Sequence, residues 1–354
     1  MRQAGSGRDM AADFIGLTVD LGAVVRNWQA LAARAPRARA GAVVKADAYG
    51  LGALQVVPAL YAAGVRDFFV AITAEGRAIR PLLPPEARIF VMEGPRPGDD
   101  LSGLIPVINS PEQWFRHCAI SPGAPFAVQI DTGMSRLGLT PGDWAALRAE
   151  LLAAGPQLIM SHLYCADEPA HPANARQLAA FRALTEGCGD VPRSLAATGG
   201  ILLGPDYHFD ILRPGVGLYG GQPFAAAEPA VHLTIPVVQT REVETGCEVG
   251  YGASFTASCR MRIATLGAGY ADGLPRSLGG RLRLWAGDRA VPAVGRISMD
   301  AITADVSALA DVPSALTVIG PHQTVDDLAA QADTIGYEVL TSLGRRYARR
   351  YHHG

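Results

Sequence analysis

The sequence predicts an α/β protein with an N-terminal (β/α)8 barrel and a C-terminal, mainly-β domain. Three observations predict it. Between about Arg39 and Tyr219, eight short apolar, β-rich runs alternate with stretches of helical periodicity. Strands alternating with helices imply a parallel sheet, and eight such units favour a closed TIM-type barrel over an open doubly wound sheet. After the Gly/Pro/Ala-rich residues 221–230, the pattern changes to short, turn-punctuated runs with few long helices between them.

The eight candidate strands are AGAVV, DFFVAI, RIFVM, LIPVI, PFAVQI, QLIMSH, RSLAA and FDILR. Helical spacing between them is clearest at Trp144, Leu147, Leu151 and Leu152, and at Leu178, Phe181 and Leu184. Ahead of the barrel, IGLTVD reads as a strand. Leu21, Val24, Val25, Trp28 and Leu31 then line one face of a helix, and this pair is a candidate to pack on the second domain. HLTIPVVQT, MRIATLGAGY, RLRLW, AVPAVGRISM and AITADV supply the β-domain, and the closing YEVLTSLGRRYARRY reads as a terminal helix. The expected domains are therefore residues 12–228 and 229–354.

Composition narrows the function. With 49% hydrophobic and 18% charged residues among 354, the chain has ample material for a core. A formal net charge of -2 lacks the basic excess of a protein that binds nucleic acid or an acidic membrane, so a small-molecule ligand is expected. The five cysteines are scattered without a C-x-x-C pair, which points away from a metal site and toward free thiols in a reducing cytoplasm. The N-terminal stretch has no apolar signal core, and no run reaches the ~18 apolar residues of a membrane helix.

Polar groups recur where catalytic groups of such barrels cluster, at the C-terminal ends of strands. Lys45 follows AGAVV, and an unpaired ammonium there is costly to desolvate; a Schiff base would remove the fixed charge. Arg136 lies in the glycine-flanked loop DTGMSRLG, where a planar guanidinium suits a phenolate or carboxylate. His162, Thr198 and Arg213 end three further strands. Each alone is compatible with a structural role, but five at one end of a barrel are hard to attribute to accident. Residues 215–220 match G-x-G-x-x-G, yet the match runs into a Pro/Gly linker and lacks an acidic residue about 20 positions on, so it is no dinucleotide fingerprint. What remains is glycine backbone beside a strand end, able to cradle phosphate.

Taken together, VVKADAYGLG, DTGMSRLG, ILRPGVGLYG, VGYGAS, GAGYADGLPR and VGRISMD resemble the motif series of the alanine racemase family, in that family's order and from about Phe14 to Tyr351. The resemblance implies a fold-type III pyridoxal 5'-phosphate (PLP) enzyme that works as a head-to-tail homodimer and interconverts L- and D-alanine. Lys45 would carry PLP covalently. Tyr49, Thr198, Tyr351 and the backbone of Gly215 and Val216 would hold its phosphate. Arg136 would bond the phenolic oxygen and contact substrate, and Arg213 would face the pyridine nitrogen. Tyr251 would be the second base, reaching the partner's site, while His162 would lie among the cofactor residues and support it. Tyr270 and Met299 would complete the substrate pocket, with Asp300 beside them.

The chemistry explains the residue types. PLP delocalises the anion left when the alpha proton departs, so chirality is erased, and racemisation then requires a base on each face. The resemblance assigns Lys45 to the D side and Tyr251 to the L side. A lysine near pKa ~10.4 and a tyrosine near ~10 need surroundings that lower both, and burial beside Arg136 and Arg213 is the expected cause.

Two departures stand out. Gln129 occupies a position where many members carry a carbamylated lysine that orients the neighbouring arginine, and Ala197-Thr198 replaces Asn-Ser. A racemase preferring serine or a larger amino acid is the nearest alternative reading. A fold-type III decarboxylase would present a glutamate where Arg213 stands, and a non-catalytic PLP-binding barrel would lack the domain carrying Tyr251.

Overall fold

The computed structural model describes residues 16–353. Phe14 and the expected barrel start at residue 12 lie outside the described residues. Two units are present: Leu21–Glu228 forms one, and β1 (Gly16–Asp20) joins Pro229–His353 in the other.

In the first unit, β2 (Arg39–Ala40) and β3 (Ala42–Val43) are one strand interrupted at Gly41. They are followed by β4 (Asp67–Val70), β5 (Arg88–Val91), β6 (Ile105–Ile108), β7 (Ala127–Gln129), β8 (Ile159–Met160), β9 (Arg193–Ser194) and β10 (Ile211–Leu212). β3 to β9 pair in sequence order as a parallel sheet, and β10 pairs in parallel with β2. The Gly41 N–H bonds to Leu212 O at 2.9 Å, the Arg213 N–H bonds to Ala196 O at 2.9 Å, and Ala197 bridges Arg213. These contacts bring the eight strand positions into a closed barrel. A parallel sheet buried on both faces needs continuous apolar runs, and β4 and β6 are buried at all four positions. Gly41 is required by close approach, since a Cβ there would sit 2.7 Å from Asp67 O and 2.9 Å from the Phe69 ring.

The helices at Pro141–Ala153 and Pro172–Leu184 pack Trp144, Leu151, Leu178 and Phe181 onto this barrel, as their spacing predicts. The helix Leu21–Ala32 also buries Asn27 on its apolar face. That amide donates to Leu218 O and Glu228 O and accepts from the Glu228 N–H, stapling the end of the unit to its start.

The second unit contains β11 (Val231–Val243), β12 (Glu248–Val249), β13 (Phe255–Thr256), β14 (Met261–Leu266), β15 (Arg283–Ala286), β16 (Arg289–Val294), β17 (Ile302–Asp305), β18 (Ala315–Ile319) and β19 (Ala348–His352). β11 pairs with β1 and β18 along its first half and with β14 along its second, so the sheet curls back on itself.

Two expectations change here. The pre-barrel strand and helix part company: β1 pairs with β11 and β19, whereas the helix after it belongs to the barrel unit. The closing segment is helical only over Gly336–Ser342; β19 then runs parallel to β1. Its pairing partner comes from the other end of the chain, and local periodicity cannot register such a partner.

Candidate active site

The turn after β3 carries Lys45 and Tyr49. The Val44 N–H still bonds to Phe69 O at 2.9 Å, but Ala46, Asp47, Ala48 and Tyr49 have φ of 52°, 55°, 54° and 57°. Four consecutive L-residues in the left-handed region cost about 1–2 kcal/mol each, and such strain persists only where the surroundings over-determine it. Here Gly50 N–H bonds to Ala46 O (2.7 Å), Gly52 N–H to Asp47 O (2.9 Å) and Ala53 N–H to Asp47 Oδ1 (2.7 Å). The turn reverses the chain within a few residues, so Lys45 and Tyr49 both stay at the C-terminal mouth of the barrel.

Burial, and secondarily the Arg136 charge, lowers the Lys45 pKa; Arg213 adds to this, while Glu75 and Glu93 oppose it. Arg213 is 2% exposed. Its Nε donates to Ser194 Oγ at 2.9 Å, and its Nη2 donates to Ser161 O and Leu195 O, so the guanidinium is fixed by neutral acceptors and has no carboxylate partner among the described residues. Burial pushes its pKa down to about 10, leaving it a cation at neutral pH. Burial and then the charges of Arg213, Arg136 and Lys45 push His162 down to about 3, so its imidazole is neutral.

Arg136 is presented by a loop built on Asp131, whose Oδ1 accepts from the N–H groups of Gly133 and Met134 (both 2.9 Å) and whose Oδ2 accepts from Ser135 N–H (3.0 Å). The Arg136 side chain is exposed and makes no ion pair among the described residues. Gln129 is buried at the end of β7, and its amide makes no hydrogen bond to that arginine.

On the other side of the mouth, Tyr49 stacks 4.8 Å from Tyr219, whose hydroxyl donates to Val43 O at 2.9 Å. Residues 216–219 form a 3-10 turn capped by Gly220 at φ 89°, not the helix of a dinucleotide site. Thr198 Oγ1 accepts from Gly215 N–H (3.0 Å) and Gly217 N–H (3.3 Å). The Gly215 N–H is thus already engaged, whereas the Val216 N–H has no hydrogen-bond partner among the described residues. Lys45, Tyr49, Arg136, His162, Thr198, Arg213, Gly215 and Val216 all belong to this one mouth.

The remaining candidates lie in the second unit. Tyr251 sits at the tip of the β12–β13 hairpin, between Gly250 (φ 80°) and Gly252 (φ 68°), and is 72% exposed. Tyr270 and Met299 occupy two loops zipped by Tyr270 N–H to Ser298 O and Ala271 N–H to Met299 O, both 3.0 Å. Gly252 packs on the Arg296 guanidinium, so the hairpin and these loops form one cluster carrying three exposed side chains. Tyr351 is on β19, beside Val19 of β1.

Models of the N-terminal and C-terminal domains of alanine racemase match residues 19–223 and 230–351. The chain belongs to the alanine racemase family. An alanine racemase of Cereibacter sphaeroides is 58% identical over 340 residues, covering 95% of this chain and 97% of that protein. One from Rhodospirillum rubrum is 51% identical, with 95% of each covered. The crystal structure of the Bartonella henselae alanine racemase, with covalently bound pyridoxal phosphate, superposes with a TM-score of 0.91 at 36% identity, covering 96% and 99% of the two chains. The Streptomyces coelicolor enzyme gives 0.90 at 32%, covering 97% and 99%.

Within this alanine racemase family chain, several site residues escape sequence reasoning. Ser161 and Ser194 hold Arg213, and Glu75 and Glu93 face Lys45. Single serines and lone glutamates, one in a helix and one in a turn, carry no signal of their own. Asp131 was readable, because an aspartate before T-G is an ordinary Asx-turn former.

Proposed function

We propose that this chain is a PLP-dependent racemase that interconverts L- and D-alanine, with Lys45 and Tyr251 as its two bases. The observation that carries the reading is the desolvated Lys45 amine between Arg136 and the buried, acid-free Arg213. The donor set fits PLP. Lys45 is a nucleophilic amine, and among the described residues Arg213 offers a cation with no carboxylate competitor and the Val216 amide, beside the Thr198 hydroxyl, a donor with no partner. Gly215 keeps that wall clear, since a Cβ there would meet Tyr49 Oη at 2.4 Å.

Lys45 would hold the cofactor, Tyr49, Thr198, Val216 and Gly215 would serve its phosphate, and Arg136 and Arg213 would serve its ring oxygen and ring nitrogen. When bound, PLP supplies an electron sink that acidifies the alpha C–H of the attached amino acid. Lys45 Nζ then moves the proton on the D face and the Tyr251 hydroxyl moves it on the L face. Neutral His162 can exchange a hydrogen bond without adding positive charge. Arg213, still cationic at neutral pH, would donate a hydrogen bond to the ring nitrogen without giving up its proton, and its charge would keep that nitrogen unprotonated, which would limit charge delocalisation into the ring and discourage side reactions.

Tyr251, Tyr270 and Met299 are exposed at 72%, 40% and 54%, an apolar cluster that suits burial against a second copy of the chain in a head-to-tail dimer. The second unit would then contribute to the partner's active site. No described helix is long and apolar enough to cross a membrane, and the free thiols suit the cytoplasm.

The test is to purify the protein, trap PLP on Lys45 with borohydride, and follow L- and D-alanine by chiral chromatography. Lys45 is the only lysine in the sequence, so failure of borohydride to fix PLP on the chain, or no interconversion of alanine, defeats the reading. Faster turnover of serine than of alanine replaces the substrate.

A further inference from the structure

We propose that Glu75 is the positioning residue of Lys45, its one carboxylate tying together the amides that follow two neighbouring strands and so fixing the left-handed turn on which the lysine stands. The inference rests on the role given to Lys45 above. β3 and β4 pair at Ala42 with Phe68 and at Val43 with Phe69, and the ladder ends with the Val44 N–H on Phe69 O. Beyond that point the chain turns left-handed at Ala46, and no carbonyl of β4 can follow it. Glu75, in the helix Thr73–Ile79, takes over: Oε1 accepts from Ala46 N–H and Oε2 from Ala71 N–H, both at 2.8 Å.

The placement is specific. Ala46 is the residue after Lys45 and the first of the four strained positions, and Ala71 directly follows β4. Charge-assisted bonds to two amides are among the stronger ones available, and they grip the turn at the point where its strain begins. Asp47 cannot substitute, because its carboxylate is spent on the Ala53 N–H at the far side of the turn.

The same carboxylate balances charge. Lys45 faces Arg136 and Arg213 on one side of the ledger and Glu75 and Glu93 on the other, with His162 neutral nearby. Glu75 leads the two opposing groups, so its loss should push the amine further below its ordinary range.

The test uses the full-length chain without cofactor. Hydrogen exchange reads the Ala46 and Ala71 amides, and competitive acetylation with acetic anhydride across about pH 6 to 10 reads the Lys45 titration midpoint. Glu75→Ala should exchange both amides at least about tenfold faster than the unaltered chain. Glu75→Gln, which keeps the shape and removes the charge, should move the Lys45 midpoint down by about one pH unit. A purely structural carboxylate would not move that midpoint. Unchanged exchange in Glu75→Ala, or an unchanged or raised midpoint in Glu75→Gln, overturns the assignment. If Glu75→Ala fails to fold, Glu75→Gln still decides it. Borohydride trapping of PLP on the unaltered chain is a separate arm: its failure removes the proposed function and leaves both Glu75 readouts standing.

Discussion

Gly215→Ala isolates the packing behind the phosphate end of the site. The φ there is -126°, outside the left-handed region that favours glycine, and the clash of an added Cβ with Tyr49 is the part of the cost that a second substitution at Tyr49 can isolate. A Cβ at this position would lie 2.4 Å from Tyr49 Oη, 3.3 Å from Tyr49 Cζ and 3.5 Å from Val43 Cβ. Ordinary contact begins near ~3.5 Å, so the hydroxyl must retreat by about 1 Å. It has little room, because Tyr49 is 5% exposed and stacks on Tyr219, which is itself fully buried and bonded to Val43 O. Overpacking of this kind costs about 1–3 kcal/mol, and it should weaken PLP binding as well. The decisive measurement is a double-mutant cycle by equilibrium unfolding of the chain without cofactor. Tyr49→Phe removes the 2.4 Å contact and leaves only the 3.3 Å one. In that background the alanine should therefore cost less than about 0.5 kcal/mol, a coupling within the range seen for touching side chains. Equal penalties in the two backgrounds would refute the reasoning.

Two further outcomes follow from charge. His162 titrates near 6.5 when unfolded and is pushed down to about 3 in the fold, so between those values the unfolded chain binds the extra proton. Stability should fall as the pH drops through that window, by about 1.4 kcal/mol per pH unit from this group, and His162→Gln should flatten that limb in denaturation curves taken at several pH values. Arg346 bonds the fully buried Asp272 at two points (both 2.7 Å) and also Asp300. Arg346→Met should lower the unfolding midpoint, since it leaves the buried Asp272 carboxylate with the Gly269 N–H and without its cation, whereas Asp300→Asn, on the exposed arm, should leave the midpoint nearly unchanged. Equal effects of the two would show that burial does not govern this pair.

The barrel was legible because its strands are buried on both faces and therefore spell uninterrupted apolar runs; FFV in β4 and IPVI in β6 could hardly be read otherwise. The mouth was legible because charged groups at strand ends contradict that pattern, and Lys45, Arg136 and Arg213 stand out against it. What escaped was whatever depends on a distant partner. β19 carries arginines and no apolar alternation, and it is a strand only because β1 lies beside it. The left-handed turn also escaped: Ala-Asp-Ala-Tyr has no glycine until Gly50, and the local bonds of Asp47 and Gly50 are joined there by the distant one from Glu75. Nor does the sequence announce that the Gly215 N–H, one of the two amides expected at the phosphate, bonds to Thr198 Oγ1.

Tyr251 offers the sharpest separation of function from fold. At 72% exposure on a hairpin tip it contributes almost nothing to the apolar cluster beneath the hairpin, which contains Val249, Ala257, Met261, Ile263 and Val294. Tyr251→Phe keeps the ring and its apolar surface and removes only the hydroxyl, so the unfolding midpoint should move by less than about 0.5 kcal/mol. A residue retained for packing would behave in the opposite way. If its hydroxyl moves the proton on the L face, racemisation should fall by about 10²- to 10⁴-fold, the usual loss of a general base. Solvent deuterium should still enter D-alanine through Lys45, while its entry into L-alanine collapses. Loss of exchange from both enantiomers would mean that the hydroxyl organises the site as a whole. Retention of both would mean that the second base is another group, and that an exposed phenol on a glycine-flanked hairpin has some other purpose.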